Sequence, residues 1–177
     1  MLQDVVSVSL PVNERMRIKK NHFEPYNLTG KEKRICIVTG IHGDELEGQY
    51  VCYELIRRLG ENGHLLNGIV DIYPSMNPLG MDSIKREMPI FDLDMNMIFP
   101  GSETGAVAEH IAAAIMNDIK GADICIDIHA SNIFLREMLM YGREAQSKTR
   151  IANPATIPKS GERNGKIHSC MLYLISI

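Results

Sequence analysis

Short apolar runs alternating with segments of helical period constrain this chain more than any other feature. Arg34-Ile35-Cys36-Ile37-Val38-Thr39 is a continuous apolar run that stops at Gly40, as expected for a strand buried on both faces of a sheet. Gly68-Ile69-Val70-Asp71-Ile72-Tyr73 and Asp123-Ile124-Cys125-Ile126-Asp127-Ile128 read as two further strands. Between the first two, Leu46 through Leu59 places Val51, Leu55, Ile56 and Leu59 at helical spacing, with Asp44 expected to cap the first turn and Gly60 to end the helix. Between the last two, Glu103 to Ile119 carries Val107, Ile111, Ile115 and Ile119 on one helical face. Ahead of all these, Val5 to Leu10 and Met16 to Phe23 read as strands joined by a Pro11-Val12-Asn13 turn.

This order implies an α/β fold of three layers, with a mixed, mostly parallel central sheet and helices on both faces. In such sheets ligands gather beyond the carboxyl ends of the strands. The chain of 177 residues, 45% hydrophobic and 23% charged, is long enough to bury a core and short enough for a single domain over residues 1–177. Asn153 to Gly161 is expected to be irregular without marking a domain boundary.

A net charge of -3 and the lack of any dense Lys or Arg run argue against nucleic acid or an anionic membrane as partner. A small-molecule substrate fits better, and a homo-oligomer is compatible with the same composition. The N-terminus has no basic start followed by a long apolar stretch, and no segment approaches the roughly 20 apolar residues of a membrane span, so the expected location is cytoplasmic. Cys36, Cys52, Cys125 and Cys170 are scattered without a Cys-x-x-Cys pair, which argues against structural disulfides.

The residues that carry chemistry stand where the strands end. His42 and Glu45, three apart in Gly40-Ile41-His42-Gly43-Asp44-Glu45, follow the first apolar strand, and Gly43 is expected to permit the tight turn that aims both at one point. His129 closes Ile126-Asp127-Ile128-His129. Two imidazoles and a carboxylate are the ligand set of an open, hydrolytic zinc centre, in which one coordination position is left for water. Period-two alternation puts Asp127 on the same strand face as His129, where it can orient the imidazole or simply be a polar strand end. His22, His64, His110 and His168 stand in polar, loop-like or helix-surface contexts and have no partner at ligand spacing. Gly40, Gly43 and Gly48 between strand and helix suggest a nucleotide-binding loop, but neither the Gly-x-Gly-x-x-Gly spacing nor a phosphate-loop Gly-Lys-Ser/Thr ending is present.

Four ordered motifs extend the comparison: Ile41-His42-Gly43-Asp44-Glu45, Pro74-Ser75-Met76-Asn77-Pro78, Asp94-Met95-Asn96-Met97-Ile98-Phe99-Pro100-Gly101 and Asp127-Ile128-His129. In this order they resemble the succinylglutamate desuccinylase/aspartoacylase family, related to zinc carboxypeptidases, from about Ile35 to about Glu137. The resemblance implies a zinc carboxypeptidase-like fold and a Zn2+-dependent amidohydrolase acting on an N-acyl amino acid or similar compound, with His42, Glu45 and His129 as metal ligands. It further implies that Arg86 stabilises the oxyanion, a task suited to a permanently charged guanidinium, and that Asn96 holds the polar end of the substrate. Read from its neighbours alone, Lys85-Arg86-Glu87 is equally a solvated charge cluster, Asn77-Pro78 a turn, and Phe99-Pro100-Gly101 a turn that shapes the loop of Asn96.

Two positions depart from the family pattern. Met97 follows Asn96 where relatives usually have arginine, and a thioether cannot pair with a carboxylate. The family's general-base glutamate has no convincing counterpart: Glu162 lies in Gly161-Glu162-Arg163-Asn164-Gly165-Lys166, a turn-like stretch. The expectation is therefore a chain truncated at its C-terminus, and the alternative to an active hydrolase is a catalytically silent metal- or ligand-binding protein on the same scaffold. The ligand set itself also admits a different divalent ion.

Overall fold

The structure, a computed structural model, describes residues 1–130 and the strand Met171–Ser176. The sequence expectations at 153–161, Glu162, His168 and Cys170 lie outside the described residues.

Among the described residues, six strands and three α-helices follow one another as β1 (Leu2–Ser9), β2 (Arg15–Phe23), β3 (Arg34–Thr39), α1 (Glu47–Asn62), β4 (Ile69–Tyr73), α2 (Pro78–Ser83), α3 (Val107–Ile119), β5 (Ile124–His129) and β6 (Met171–Ser176). They form one mixed sheet in the order β1-β2-β4-β3-β5-β6. β1 and β2 pair antiparallel, as do β2 and β4, whereas β4, β3, β5 and β6 are mutually parallel along the sheet. The sheet is thus antiparallel at one margin, where the hairpin through Pro11–Asn13 can turn directly, and parallel where helices make the crossovers.

The two faces of β3 show the layering. Thr39 on one face meets α1 so closely that a Cβ on Gly48 would lie 2.1 Å from its Oγ1. On the other face Cys36 and Val38 join Ile111, Ile115 and Ile119 of α3 in the buried core with Met16, Ile18 and Tyr73. Helices therefore cover both faces, and the architecture is the zinc carboxypeptidase-like α/β arrangement.

Local signals misplaced several boundaries. Asp44 does not cap α1, whose N-cap position is Leu46 without a side-chain cap bond; the chain is still turning through the site loop at Asp44. Gly60 does not end α1, which runs on to Asn62 and tightens into a 3₁₀ turn at Gly63–Leu65. α3 begins at Val107 rather than Glu103, where the Glu109 carboxylate accepts the Ala106 N–H at 2.7 Å and fixes the first turn. Asn77 is a helix cap rather than part of a free turn: Pro78 is the first residue of α2, and the Asn77 side chain accepts the Gly80 N–H at 2.9 Å.

A buried ionic cluster lies between the sheet and α3. Asp71, fully buried, faces His22 Nδ1 at 2.6 Å, accepts from Arg34 Nε at 2.7 Å, and lies 3.5 Å from Lys20 Nζ. Lys20 also donates to Asp118 of α3 at 2.9 Å, and the Tyr73 hydroxyl donates to the same carboxylate. His22 thus lies on a sheet strand, as the Met16 to Phe23 run implied, and its pairing with Asp71 comes from the neighbouring strand. Among the described residues, no helix is long and apolar enough to cross a membrane.

Candidate metal centre

Topology places the two ends of the site side by side. β3 and β5 are parallel neighbours with Thr39 opposite Ile128, so both chains leave the sheet at the same carboxyl edge. Beyond β3, Gly40 adopts φ +69°, a conformation that favours glycine, and the chain turns toward His42. His129 is the last residue of β5.

The loop between them is pinned by main-chain bonds. Met76 N–H donates to Thr39 O at 3.1 Å, Asn77 N–H to Gly40 O at 2.8 Å, and Gly43 N–H to Lys85 O at 3.0 Å. Gly43 is required by close approach rather than by turn geometry, since a Cβ there would lie 2.0 Å from the Gly80 carbonyl carbon. Gly43→Ala is therefore expected to cost about 1 to 3 kcal/mol through overpacking against backbone and to weaken metal binding with it. A urea titration and a zinc titration of the same variant check both effects. The close packing at Gly43 and Gly48, and the turn at Gly40, also account for the glycines that resembled a nucleotide loop.

His42, Glu45 and His129 converge: one ligand atom from each lies within 4.8 Å of the other two. His42 and Glu45 are buried, and the two imidazole rings stand 5.0 Å apart. The Glu45 carboxylate sits between them, with Oε1 2.7 Å from His42 Nδ1 and Oε2 3.0 Å from His129 Nδ1, and it accepts the Ala130 N–H at 2.9 Å. Burial opposes the ionisation of Glu45, but the bonds from His129, His42 and Ala130 outweigh it and hold the carboxyl below its usual range. Burial likewise opposes charging His129, yet Asp127 and Glu45 together raise it to about 10.

Each imidazole presents its second nitrogen to a carboxylate. His42 Nε2 lies 3.2 Å from Asp94 Oδ1, and His129 Nε2 lies 3.1 Å from Asp127 Oδ2. A carboxylate thus stands beside both nitrogens of each imidazole, and a metal ion replacing the proton at Nδ1 would leave the Nε2–H donating to Asp94 or Asp127. Arg86 reaches in from outside, donating from its two terminal nitrogens to Glu45 Oε1 at 3.4 Å and Asp94 Oδ2 at 3.2 Å. Asn96 brings its Nδ2 to 3.1 Å from His42 Nε2. Met97 is largely exposed.

These residues fit a divalent cation. A bound ion would displace the protons from the two ligating nitrogens; with the imidazoles neutral in that way, the carboxylates of Glu45, Asp94 and Asp127 face a single guanidinium, and the two negative charges left over match a doubly charged ion. The structure brings together all five sequence candidates: His42, Glu45, His129, Arg86 and Asn96. Sequence reasoning assigned no role to Asp94 or to the Ala130 N–H; the former stands two residues before Asn96, a spacing that carries no ligand signal by itself.

The parallel sheet and the two-histidine, one-carboxylate cluster at its carboxyl edge define a carboxypeptidase-like α/β scaffold with a candidate metal centre. Residues 31–154 match the succinylglutamate desuccinylase/aspartoacylase catalytic domain, and the chain belongs to that family. It is 30% identical over 102 residues to N-alpha-acetyl-L-2,4-diaminobutyric acid deacetylase of Halomonas elongata, covering 57% of this chain and 29% of that protein. It superposes on a succinylglutamate desuccinylase/aspartoacylase crystal structure from Rhodobacter sphaeroides with a TM-score of 0.64 and 26% identity, over 74% of this chain and 40% of that one. A metallo-carboxypeptidase from Burkholderia cenocepacia shares the fold at a TM-score of 0.57 and 16% identity, over 74% and 36% of the respective chains. The chain thus spans well under half the length of these relatives.

Proposed function

We propose that this chain carries the zinc-binding part of an amidohydrolase that cleaves the amide bond of an N-acyl amino acid or a related small compound. The observation that supports this most is the convergence of His42, Glu45 and His129 within a group whose charge calls for a divalent ion. His42 and His129 would bind through Nδ1 and Glu45 through its carboxylate, an N, N, O set suited to zinc. Zinc held there supplies Lewis acidity toward an amide carbonyl and toward water. Residues 1–177 are read as one domain, placed in the cytoplasm.

The chain's own groups divide the remaining work. Arg86 stands half-exposed at the mouth of the cluster, tethered at one side to Asp94, and its guanidinium would donate to the oxygen on which negative charge develops. Asn96 would hold the polar end of the substrate. Asp127 and Asp94 orient the imidazoles. Arg86→Ala is expected to lower kcat about 100- to 1,000-fold, the usual effect of losing one such donor.

One observation favours a second reading. Among the described residues, every carboxylate that touches the two imidazoles or Arg86 is already committed to holding them. A catalytically silent metal- or ligand-binding protein would look the same. Assaying the zinc-loaded protein on a panel of N-acyl amino acids separates the two: turnover that disappears in His129→Ala supports the hydrolase, and bound zinc without turnover supports the silent form.

A further inference from the structure

We propose that Asp94 is a positioning residue that couples the metal ligand His42 to Arg86, sharing the guanidinium with Glu45 so that it does not close fully onto that ligand. The inference rests on the metal reading of His42. Its basis is a carboxylate with three partners from three directions. Oδ1 lies 3.2 Å from His42 Nε2 and accepts the Asn96 N–H at 2.9 Å, while Oδ2 accepts from Arg86 at 3.2 Å. Asp127, facing the other imidazole, does only one of these things: its Oδ2 meets His129 Nε2, and its Oδ1 has no hydrogen-bond partner among the described residues.

The loop around Asp94 is built to keep it in place. Asp94 is the N-cap of the 3₁₀ turn Met95–Met97, so its side chain is fixed by the backbone it caps. Met95 and Met88 are buried in the core, and the bridge between Met88 and Leu93, with Met88 N–H donating to Leu93 O at 3.0 Å, closes the segment that separates Arg86 from Asp94. Among the described residues Arg86 therefore has two anionic neighbours, Asp94 and the ligand Glu45, the latter at 3.4 Å. Removing the Asp94 charge leaves Glu45 as its remaining carboxylate partner among the described residues. A guanidinium drawn onto Glu45 competes with a metal ion for the same oxygens.

This competition gives a signature that loss of packing does not. Zinc affinity is measured by competition with a chromophoric chelator for the wild type, Asp94→Asn, Arg86→Ala and the double variant, with circular dichroism to confirm the fold. Asp94→Asn is expected to weaken zinc about 10- to 100-fold, as for other partners of a ligating histidine. Arg86→Ala is expected to change affinity less than about threefold alone and to recover about fivefold or more in the Asp94→Asn background, a non-additivity that marks direct coupling. Asp94→Ser, which keeps a cap acceptor for the Asn96 N–H, is the second variant should Asn disturb the loop. Equal effects of Arg86→Ala in both backgrounds overturn the coupling while leaving the metal centre intact. A wild type that binds no zinc overturns the metal reading and the coupling with it.

Discussion

Replacing His129 by alanine is expected to lower zinc affinity by more than about 100-fold while the metal-free protein keeps its fold. His129 sits at the end of β5 with its ring against Glu45 and is not a member of the hydrophobic core cluster, so truncation removes a ligand without deleting a core side chain. Loss of a directly bound group should exceed the roughly 10- to 100-fold losses seen for outer partners of a ligand, and Asp127→Asn provides that smaller comparison. The readout is thermal. A ligand present at 100 times its dissociation constant stabilises by about 2.7 kcal/mol, which for a chain of this size raises Tm by about 5 to 10 °C. Wild-type protein should show that rise with zinc and lose it with a chelator; His129→Ala should show neither.

The largest expected effect on stability lies away from the site, at Asp71. Asp71→Ala should cost about 3 kcal/mol, because removing one member of a buried ionic group leaves part of the remaining charge uncompensated. Lys20 retains Asp118, but Arg34 and His22 lose the carboxylate they share. For this length the loss corresponds to a fall of about 6 to 12 °C in Tm, measurable by calorimetry. The pH dependence follows the same residue. Burial opposes ionisation of Asp71, yet His22, Arg34 and Lys20 outweigh it and hold the carboxyl below its ordinary value. A carboxyl depressed in the folded state adds stability that is present above its unfolded pKa of about 3.9 and lost as pH falls through the folded value. Stability of the wild type should therefore fall more steeply below about pH 4 than that of Asp71→Asn.

Fold and site were legible in the sequence to different degrees. The apolar run of β3 fixed its bounds, because a strand covered on both faces leaves no polar position to blur them. The hairpin and the helical periods were equally readable, and the alternation of strand and helix led to the mixed three-layer sheet. Helix ends were not: Asp44 and Gly60 carry strong local signals that tertiary context overrides at the start and end of α1. Long-range ionic pairing was also hidden. Asp71 and Lys20 look like interruptions of apolar strands, and only the register of β2 against β4, with Asp118 brought down from α3, shows that they neutralise one another.

At the site, residues at the ends of apolar strands could be picked out because parallel sheets collect ligands there. His42 and His129 are 87 positions apart in the chain, and no local pattern states that β3 and β5 are neighbours. Gly43 was noticed for turning ability, whereas its close contact with Gly80 arises from α2 packing over the loop. Asp94 escaped notice as an individual residue because its three partners converge only after the chain folds back on itself.

The most direct test of the account is a crystal of zinc-loaded protein with data collected on both sides of the zinc absorption edge. An anomalous peak bonded to His42 Nδ1, His129 Nδ1 and the Glu45 carboxylate, at about 2.0 to 2.2 Å from each, is the predicted result. A protein that holds no zinc between these three side chains, or holds it elsewhere, would contradict the metal centre and the hydrolase built on it.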